Sequence, residues 1–168
     1  TITVSPTRTS RRRTWSSLLE RSLFHAEKLD TAVAKSEGRL LKVTDEASFD
    51  RLLTAHGQAH GPVGALLSIE GLHNLEGRLE SLDRLHGAGF RMAGFTHFFD
   101  NDLAGSLHGL QKGGLTPFGR QVLGRMEQLG MIVDIAHCSH QCVAEILATA
   151  RRPVVSSHGG VQAVCKVN

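Results

Sequence analysis

Residues 116–137 read TPFGRQVLGRMEQLGMIVDIAH, a helix-forming segment followed directly by an apolar one. Thr116 is a favourable N-cap, Pro117 suits the first helical position, and Gly130 suits the residue just beyond the helix. Residues 131–135, MIVDI, have strand length and are apolar except for Asp134. The stretch therefore predicts one helix–strand unit of an α/β protein.

The same alternation extends outward from this stretch. We predict further helices over residues 16–38, 45–56, 74–87 and 139–150, with Asn74 as the N-cap of the third, and further strands over residues 39–43, 63–69, 90–96 and 153–157. Strands that alternate with helices of this length imply a parallel sheet covered on both faces. Such a sheet is either a barrel or a doubly wound open sheet.

An ionisable residue stands at the end of each of the four clearest strands: Glu70, His97, Asp134 with His137, and His158. Parallel strands point the same way, so these side chains meet at one edge of the sheet although they are far apart along the chain. In a TIM-type barrel that edge is the C-terminal face, where active sites are built. This placement is our reason for preferring a (β/α)8 barrel to an open sheet.

The chain length limits how much of a barrel is present. We assign residues 15–168 to one α/β domain and residues 1–14, rich in Ser, Thr and Arg, to a disordered or extended lead-in. A complete (β/α)8 barrel takes about 250 residues. The 168 residues of this chain are therefore expected to form an incomplete barrel.

The residue types at the strand ends indicate a metal site. Imidazole and carboxylate ligands without thiolate suit zinc or another borderline transition ion and leave positions open for water. The two oxygens of Glu70 could hold two ions, and two ions clamping a water generate a hydroxide nucleophile near neutral pH. Cys138 adjoins His137, but neighbouring side chains of an extended segment point apart, so we interpret Cys138 as a packing residue.

Charge and cysteine content argue against several other classes of protein. The net charge is only +3, and the run formed by Arg8, Arg11, Arg12 and Arg13 has no aromatic interleaving, so no nucleic-acid partner is expected. Three cysteines without a CxxC pair do not indicate a disulfide framework. No apolar run approaches the roughly 18 residues of a membrane span. The lack of a signal pattern favours a soluble cytoplasmic chain over an exported one, but the chain begins at Thr1, so the compartment stays open.

Four segments carry a family resemblance: SIEGLH, GFRMAGFTHFFDN, GGLTPFGRQVLGRMEQLGMIVDIAHCS and RPVVSSHGGVQAVC. In order and spacing, over about residues 24–165, they resemble the membrane (renal-type) dipeptidase family of zinc peptidases. The resemblance implies a distorted (β/α)8 barrel with a binuclear zinc centre. It also implies hydrolysis of dipeptides, including those with D-configured C-terminal residues.

The resemblance further implies a role for each strand-end residue. Glu70 corresponds to the carboxylate that bridges the two zinc ions, and His137 and His158 correspond to the imidazole ligands of the second zinc. His97 corresponds to the histidine that contacts the substrate carbonyl and supports the oxyanion as it forms. These four residues are the expected metal ligands and catalytic group.

Other residues of these segments are expected near the site without binding metal. His73 is expected to line it. Asp134 matches no zinc ligand of the family, and it either orients a neighbouring group as a hydrogen-bond acceptor or makes a structural hydrogen bond. The glycine-rich loop over residues 101–114 either shapes the substrate pocket or is a mobile surface connection.

The sequence departs from the family at both ends. The family's first zinc also requires an H-x-D motif, which occurs nowhere in this sequence, and the chain ends at CKVN, before the family's substrate-binding arginine and catalytic aspartate. We therefore expect a central portion of the enzyme that assembles one zinc site and is incomplete for activity. A homodimer is a possible assembly.

Two other functions fit the same strand-end residues. A different metal-dependent amidohydrolase on this barrel would act on a cyclic amide or lactone, and comparing dipeptide with cyclic-amide hydrolysis separates it from a dipeptidase. A truncated, non-catalytic module would serve binding or assembly. Zinc bound in proportion to protein, and lost when His137 or His158 becomes alanine, would favour a true metal site.

Overall fold

The computed structural model describes residues 14–58, 60–160 and 164. Residues 1–13 of the expected lead-in, which include the arginine run, and Cys165 lie outside the described residues. The elements in chain order are α1 (Leu18–Lys35), β1 (Leu40–Lys42), α2 (Glu46–Ala55), β2 (Val63–Ala65), β3 (Leu67–Ile69), a 3-10 helix (Leu72–Leu75), α3 (Glu80–Gly87), β4 (Phe90–Gly94), α4 (Pro117–Leu129), β5 (Ile132–Asp134), α5 (His140–Thr149) and β6 (Val154–Val155). This alternation confirms the α/β class.

The described chain divides into two compact units. The first takes its residues from the chain up to Ile69 and from Asn74–Met92, and the second from Glu70–His73 and from residue 93 onward. All six residues that the sequence singles out for the site belong to the second unit. The assignment of residues 15–168 to a single domain stays a prediction.

The first unit contains a small parallel sheet. β1 pairs with β2 in the register Leu40 to Val63 and Lys42 to Ala65. Its core consists of aliphatic and aromatic side chains that are at most 7% exposed: Leu19, Ala26, Val43, Leu67, Ile69, Leu75, Leu82, Leu85 and Phe90. Burial of this apolar surface is the main stabilising contribution to such a core.

A second sheet has the strand order β3–β4–β5–β6. Within the second unit, β5 and β6 are parallel, with Val133 opposite Val154 and Asp134 opposite Val155. The second unit's own core is again apolar and includes Leu72, Ala93, Phe95, Leu103, Val122, Leu123, Met126, Val133 and Ile146. Within the described ranges, no helix combines the length and the apolar character that a membrane crossing requires.

Helix α4 begins and ends where the sequence predicts. The Thr116 hydroxyl accepts a hydrogen bond from the amide of Gly119 at 2.9 Å, and Pro117 occupies the first helical position. Gly130 follows the helix in the left-handed conformation, with φ of 69°. The short-range start and stop signals are therefore confirmed at this helix.

The predicted strand over residues 63–69 is interrupted. β2 belongs to the two-stranded sheet with β1, whereas β3 belongs to the four-stranded sheet. Leu66, between them, is 42% exposed. A continuous apolar run looks the same in sequence whether its residues pair with one sheet or two, so the single-strand prediction is wrong here.

The prediction that Asn74 caps a helix is also wrong. Asn74 is 1% exposed within the 3-10 helix, and its side-chain amide donates to the Ser22 hydroxyl at 2.8 Å. The positive φ angles of Glu76 (55°) and Gly77 (72°) then turn the chain before α3 begins. The N-cap position of α3 is Leu79, which makes no side-chain capping bond.

Candidate metal centre

Glu70 follows β3 directly and enters a turn that requires glycine. Gly71 has φ of 90°, a conformation that L side chains rarely adopt. A Cβ atom at Gly71 would lie 2.8 Å from Nδ1 of His73 and 3.2 Å from Cβ of His97. Position 71 therefore leaves no room for a side chain between His73 and His97, and the turn after Glu70 depends on glycine.

His137 follows β5 and is held by its backbone. Its φ of 63° lies in the left-handed region, which costs a non-glycine residue about 1–2 kcal/mol. Its carbonyl oxygen accepts hydrogen bonds from the Leu107 amide at 2.8 Å and from the Thr96 hydroxyl at 3.0 Å. These bonds hold the strained conformation, which fixes the direction of the imidazole.

The side chains of Glu70, His137 and His158 converge. Oε1 of Glu70 lies 2.7 Å from Nε2 of His137 and 3.2 Å from Nε2 of His158. The two Nε2 atoms are 2.9 Å apart. One ligand atom from each residue lies within 4.8 Å of the others, so this trio forms a group able to hold a metal ion.

His97 lies beside this trio. Its Nε2 is 3.6 Å from Oε1 of Glu70, and its ring centroid is 4.7 Å from that of His137. Burial lowers the pKa of His97 below its usual value; the positive charge that His137 and His158 can carry adds to this effect, and Glu70 opposes it. A lowered pKa favours the neutral imidazole, which has one N–H to donate.

Asp134 accepts hydrogen bonds from backbone amides and from a neighbouring side chain, which are the two kinds expected of it. It is 6% exposed, and its Oδ1 accepts the amides of Ala136 and Ser157, each at 3.0 Å. Its Oδ2 accepts the Ser157 hydroxyl at 2.5 Å, and that hydroxyl lies 2.9 Å from Nδ1 of His158. Sequence reasoning missed Ser157, although its position next to His158 at the end of β6 was a usable signal.

A comparison with protein families identifies the family of the chain. Residues 8–168 match the model of the membrane dipeptidase family, peptidase family M19. The chain belongs to the membrane dipeptidase family. The family resemblance of the four sequence segments is thereby confirmed.

Relatives in this family are longer than the chain. It is 35% identical over 114 residues to dipeptidase aclJ of Aspergillus oryzae, a match that covers 66% of this chain and 27% of that protein. The crystal structure of the probable dipeptidase PvdM from Pseudomonas aeruginosa superposes with a TM-score of 0.76 at 26% identity, over 86% of this chain and 37% of that one. The chain thus spans between a quarter and two fifths of these relatives.

A third comparison concerns the fold alone. A metallopeptidase from Rhodobacter sphaeroides, crystallised with a phosphinate mimic of the dipeptide L-Ala-D-Ala, has a TM-score of 0.76 at 21% identity, over 87% of this chain and 42% of that one. Together with the M19 likeness above, it confirms an α/β fold with parallel strands, of the TIM-barrel type and partial in this chain.

His73 lies next to His97 and outside the converging trio of this membrane dipeptidase family member. Burial lowers the pKa of His73, and the charge that His97 can carry lowers it further, against the opposing effect of Asp102. The Gly71 position lies close to the His73 ring and to Cβ of His97, which places His73 at the wall of the site. Its expected role, lining the site without binding metal, stays a prediction.

The loop over residues 101–114 is tied down at its base. The Asp100 carboxylate accepts the amides of Ser106 and Gln111, each at 2.8 Å, and these bonds hold the pKa of Asp100 below its usual value. A further backbone bridge joins Ser106 to Cys138. These contacts favour a loop that shapes the site over a mobile connection, and sequence reasoning missed Asp100.

Two further rings, those of Phe98 and of the loop residue His108, lie against the site. Phe98 and His108 each have a ring centroid 5.7 Å from that of His137, and Phe98 also packs 4.1 Å from His97. Cys138, by contrast, is 4% exposed and contacts the Thr96 hydroxyl, as expected of a packing residue. The described site therefore presents imidazole, carboxylate and aromatic groups.

The converging trio fits a metal ion chemically. Two imidazole nitrogens and a carboxylate oxygen point at one another, and such groups repel unless a proton or a cation lies between them. Ligands about 2.1 Å from a tetrahedral zinc are roughly 3.4 Å apart, so expansion of the trio by about half an ångström would admit the ion. Three protein ligands with further positions open are typical of catalytic zinc.

Proposed function

We propose that this chain carries part of the active site of a zinc-dependent dipeptidase with a binuclear metal centre. The observation that carries the proposal is the convergence of the Glu70 carboxylate on Nε2 of His137 and of His158. Membership of the membrane dipeptidase family supports the reaction class. The phosphinate-bound relative supports dipeptides with a D-configured C-terminal residue as substrates.

The proposed roles follow from the donor atoms. Nε2 of His137 and Nε2 of His158 would hold one zinc ion together with one oxygen of Glu70, whose other oxygen would reach a second ion. Zinc, when bound, activates water and polarises the scissile carbonyl. Since no H-x-D occurs in this sequence, the other ligands of that second ion would come from outside these 168 residues.

His97 would act on the substrate directly. Burial lowers its pKa, which favours the neutral form, and its Nε2 lies 3.6 Å from Oε1 of Glu70, at the edge of the metal ligands. A neutral imidazole in this place can donate its N–H to the substrate carbonyl oxygen and stabilise negative charge as it develops there. Its role therefore depends on position and not on gaining a proton.

Zinc binding by the purified chain tests the metal site. We expect zinc in proportion to protein, measured after dialysis, and loss of that zinc in His137→Ala and in His158→Ala. His140→Ala is the matched control, because His140 is an exposed histidine at the start of α5. A folded wild-type chain that retains no more zinc than either site variant would contradict the proposal.

Substrate class is tested by assaying protein that contains this chain against both kinds of substrate. We expect it to hydrolyse a dipeptide with a D-configured C-terminal residue and not a cyclic amide. The opposite preference would assign the site to another amidohydrolase. The homodimer and the cytoplasmic location stay predictions, which the mass in solution and cell fractionation would check.

A further inference from the structure

We propose that Ser157 is a positioning residue that fixes the tautomer of His158 and thereby presents the Nε2 lone pair of His158 to the metal site. Asp134, Ser157 and His158 form a hydrogen-bonded relay, and the Asp134 carboxylate sets its direction. The metal-binding consequence rests on the proposed function, whereas the tautomer itself does not.

The relay begins at a carboxylate whose two oxygens have distinct partners. Oδ1 of Asp134 accepts two backbone amides, from Ala136 and Ser157, which orient the carboxylate in its buried position. Oδ2 then faces the Ser157 hydroxyl at 2.5 Å. An ionised carboxylate only accepts hydrogen bonds, so the single hydroxyl proton of Ser157 points to Asp134.

The direction of the next bond follows. The Ser157 Oγ atom lies 2.9 Å from Nδ1 of His158 and has no proton left to donate to it. Oγ must therefore accept, and Nδ1 of His158 must carry the proton. In a neutral imidazole the other nitrogen, Nε2, is then unprotonated, and this is the atom 3.2 Å from Glu70 Oε1 and 2.9 Å from His137 Nε2.

His158 needs this hydrogen bond to fix its orientation, because packing does not hold its side chain. Its side chain is 51% exposed, compared with 13% for His137 and 15% for Glu70. An exposed imidazole can rotate and exchange tautomers, and either change would remove the lone pair from the site. A hydrogen bond on the nitrogen that does not bind metal is the usual means of orienting a histidine ligand.

The tautomer can be read directly without metal. We would record two-bond ¹H–¹⁵N spectra of ¹⁵N-histidine-labelled, metal-free chain at about pH 8, above the usual pKa of histidine. The His158 signals are assigned by their loss in His158→Gln. The expected result for the wild-type chain is a proton on Nδ1 of His158.

Asp134→Asn should reverse the relay with almost no change in shape. The amide oxygen is retained where two backbone amides hold it, so the new NH2 group takes the place of Oδ2. It donates to Ser157, whose proton must then turn to Nδ1 of His158. We expect the His158 proton to move to Nε2, a result that a merely structural role for Asp134 would not produce.

Zinc affinity gives the second readout, by competition with a chromogenic chelator. Ser157→Ala is expected to bind zinc about 10–100-fold more weakly than wild type, the usual cost of losing such a partner. Ser157→Thr, which keeps the hydroxyl, should restore binding. Ser156→Ala is the control, because the Ser156 hydroxyl lies 3.4 Å from the His158 carbonyl oxygen, off the relay.

Each outcome supports or overturns the inference. A wild-type His158 protonated on Nε2, or a tautomer that neither Asp134→Asn nor Ser157→Ala alters, would overturn it. If Ser157→Ala fails to fold by circular dichroism, Asp134→Asn and Ser157→Thr decide it. A wild-type chain with the expected tautomer that binds no zinc would refute the proposed function and leave the relay established.

Discussion

Replacing Gly71 with alanine tests whether the turn after Glu70 is built around the absence of a side chain. The backbone there has φ of 90°, and the new Cβ would meet the His73 ring at 2.8 Å and Cβ of His97 at 3.2 Å. The His73 ring can rotate away. The His97 Cβ cannot, since it is fixed to the backbone just after β4, and the variant must therefore shift main chain on one side of the site.

The expected cost has two parts. A positive φ disfavours alanine by about 1–2 kcal/mol, part of which is offset because alanine restricts the unfolded chain by about 0.4–1 kcal/mol. Overpacking against His97 adds about 1–3 kcal/mol. We expect Gly71→Ala to lower the free energy of unfolding by about 2–4 kcal/mol, measured by urea denaturation followed by circular dichroism.

Substitutions at two other glycines separate the cost of the positive φ from the cost of overpacking. Gly130 also has a positive φ, of 69°, but no described atom lies within 4 Å of its added Cβ, so Gly130→Ala should cost only about 1 kcal/mol. Gly124, within α4, has neither constraint, and Gly124→Ala should stabilise the chain by about 0.5–1 kcal/mol. A Gly71→Ala variant no less stable than Gly130→Ala would refute the steric reasoning.

Two further predictions concern pH and the loop near the site. Burial, with the nearby charges of Lys28 and Arg21, lowers the pKa of His25 in the folded chain. The unfolded chain therefore binds protons more readily, and the free energy of unfolding should fall as the pH drops below about 6.5. Urea unfolding across pH 5–8 should show a smaller fall in His25→Gln, and an equal fall would contradict this. Asp100→Ala should speed amide hydrogen exchange at Ser106 and Gln111, because the Asp100 carboxylate accepts hydrogen bonds from both amides. The control Asp102→Ala should leave these rates unchanged. Unchanged rates in Asp100→Ala would show that other contacts hold the loop.

The sequence predicted those features that depend on neighbours along the chain or on the direction of parallel strands. The boundaries of α4 follow from Thr116, Pro117 and Gly130, whose effects reach no further than one helical turn. The convergence of Glu70 with His137 also follows from sequence, because parallel strands end at the same edge of a sheet and the pattern locates those ends.

The features that the sequence did not predict depend on partners far along the chain. Asn74 looks like a cap until its amide is seen to donate to Ser22, 52 residues away. The break at Leu66 depends on which sheet each half of the apolar run joins. In both cases the local signal is compatible with two structures, and a tertiary contact selects one of them.

The two histidines of the converging trio show why the surroundings of a site are harder to predict than its ligands. His137 owes its direction to a strained backbone, whose carbonyl oxygen accepts bonds from Leu107 and Thr96. His158, half-exposed, owes its direction to the Ser157 hydroxyl and, through it, to Asp134. The same residue type at the same kind of strand end is thus held by two unrelated means, because the space around each imidazole differs. A strand-end pattern identifies which residues can meet, but the rigidity that metal binding requires comes from contacts that each strand end obtains separately.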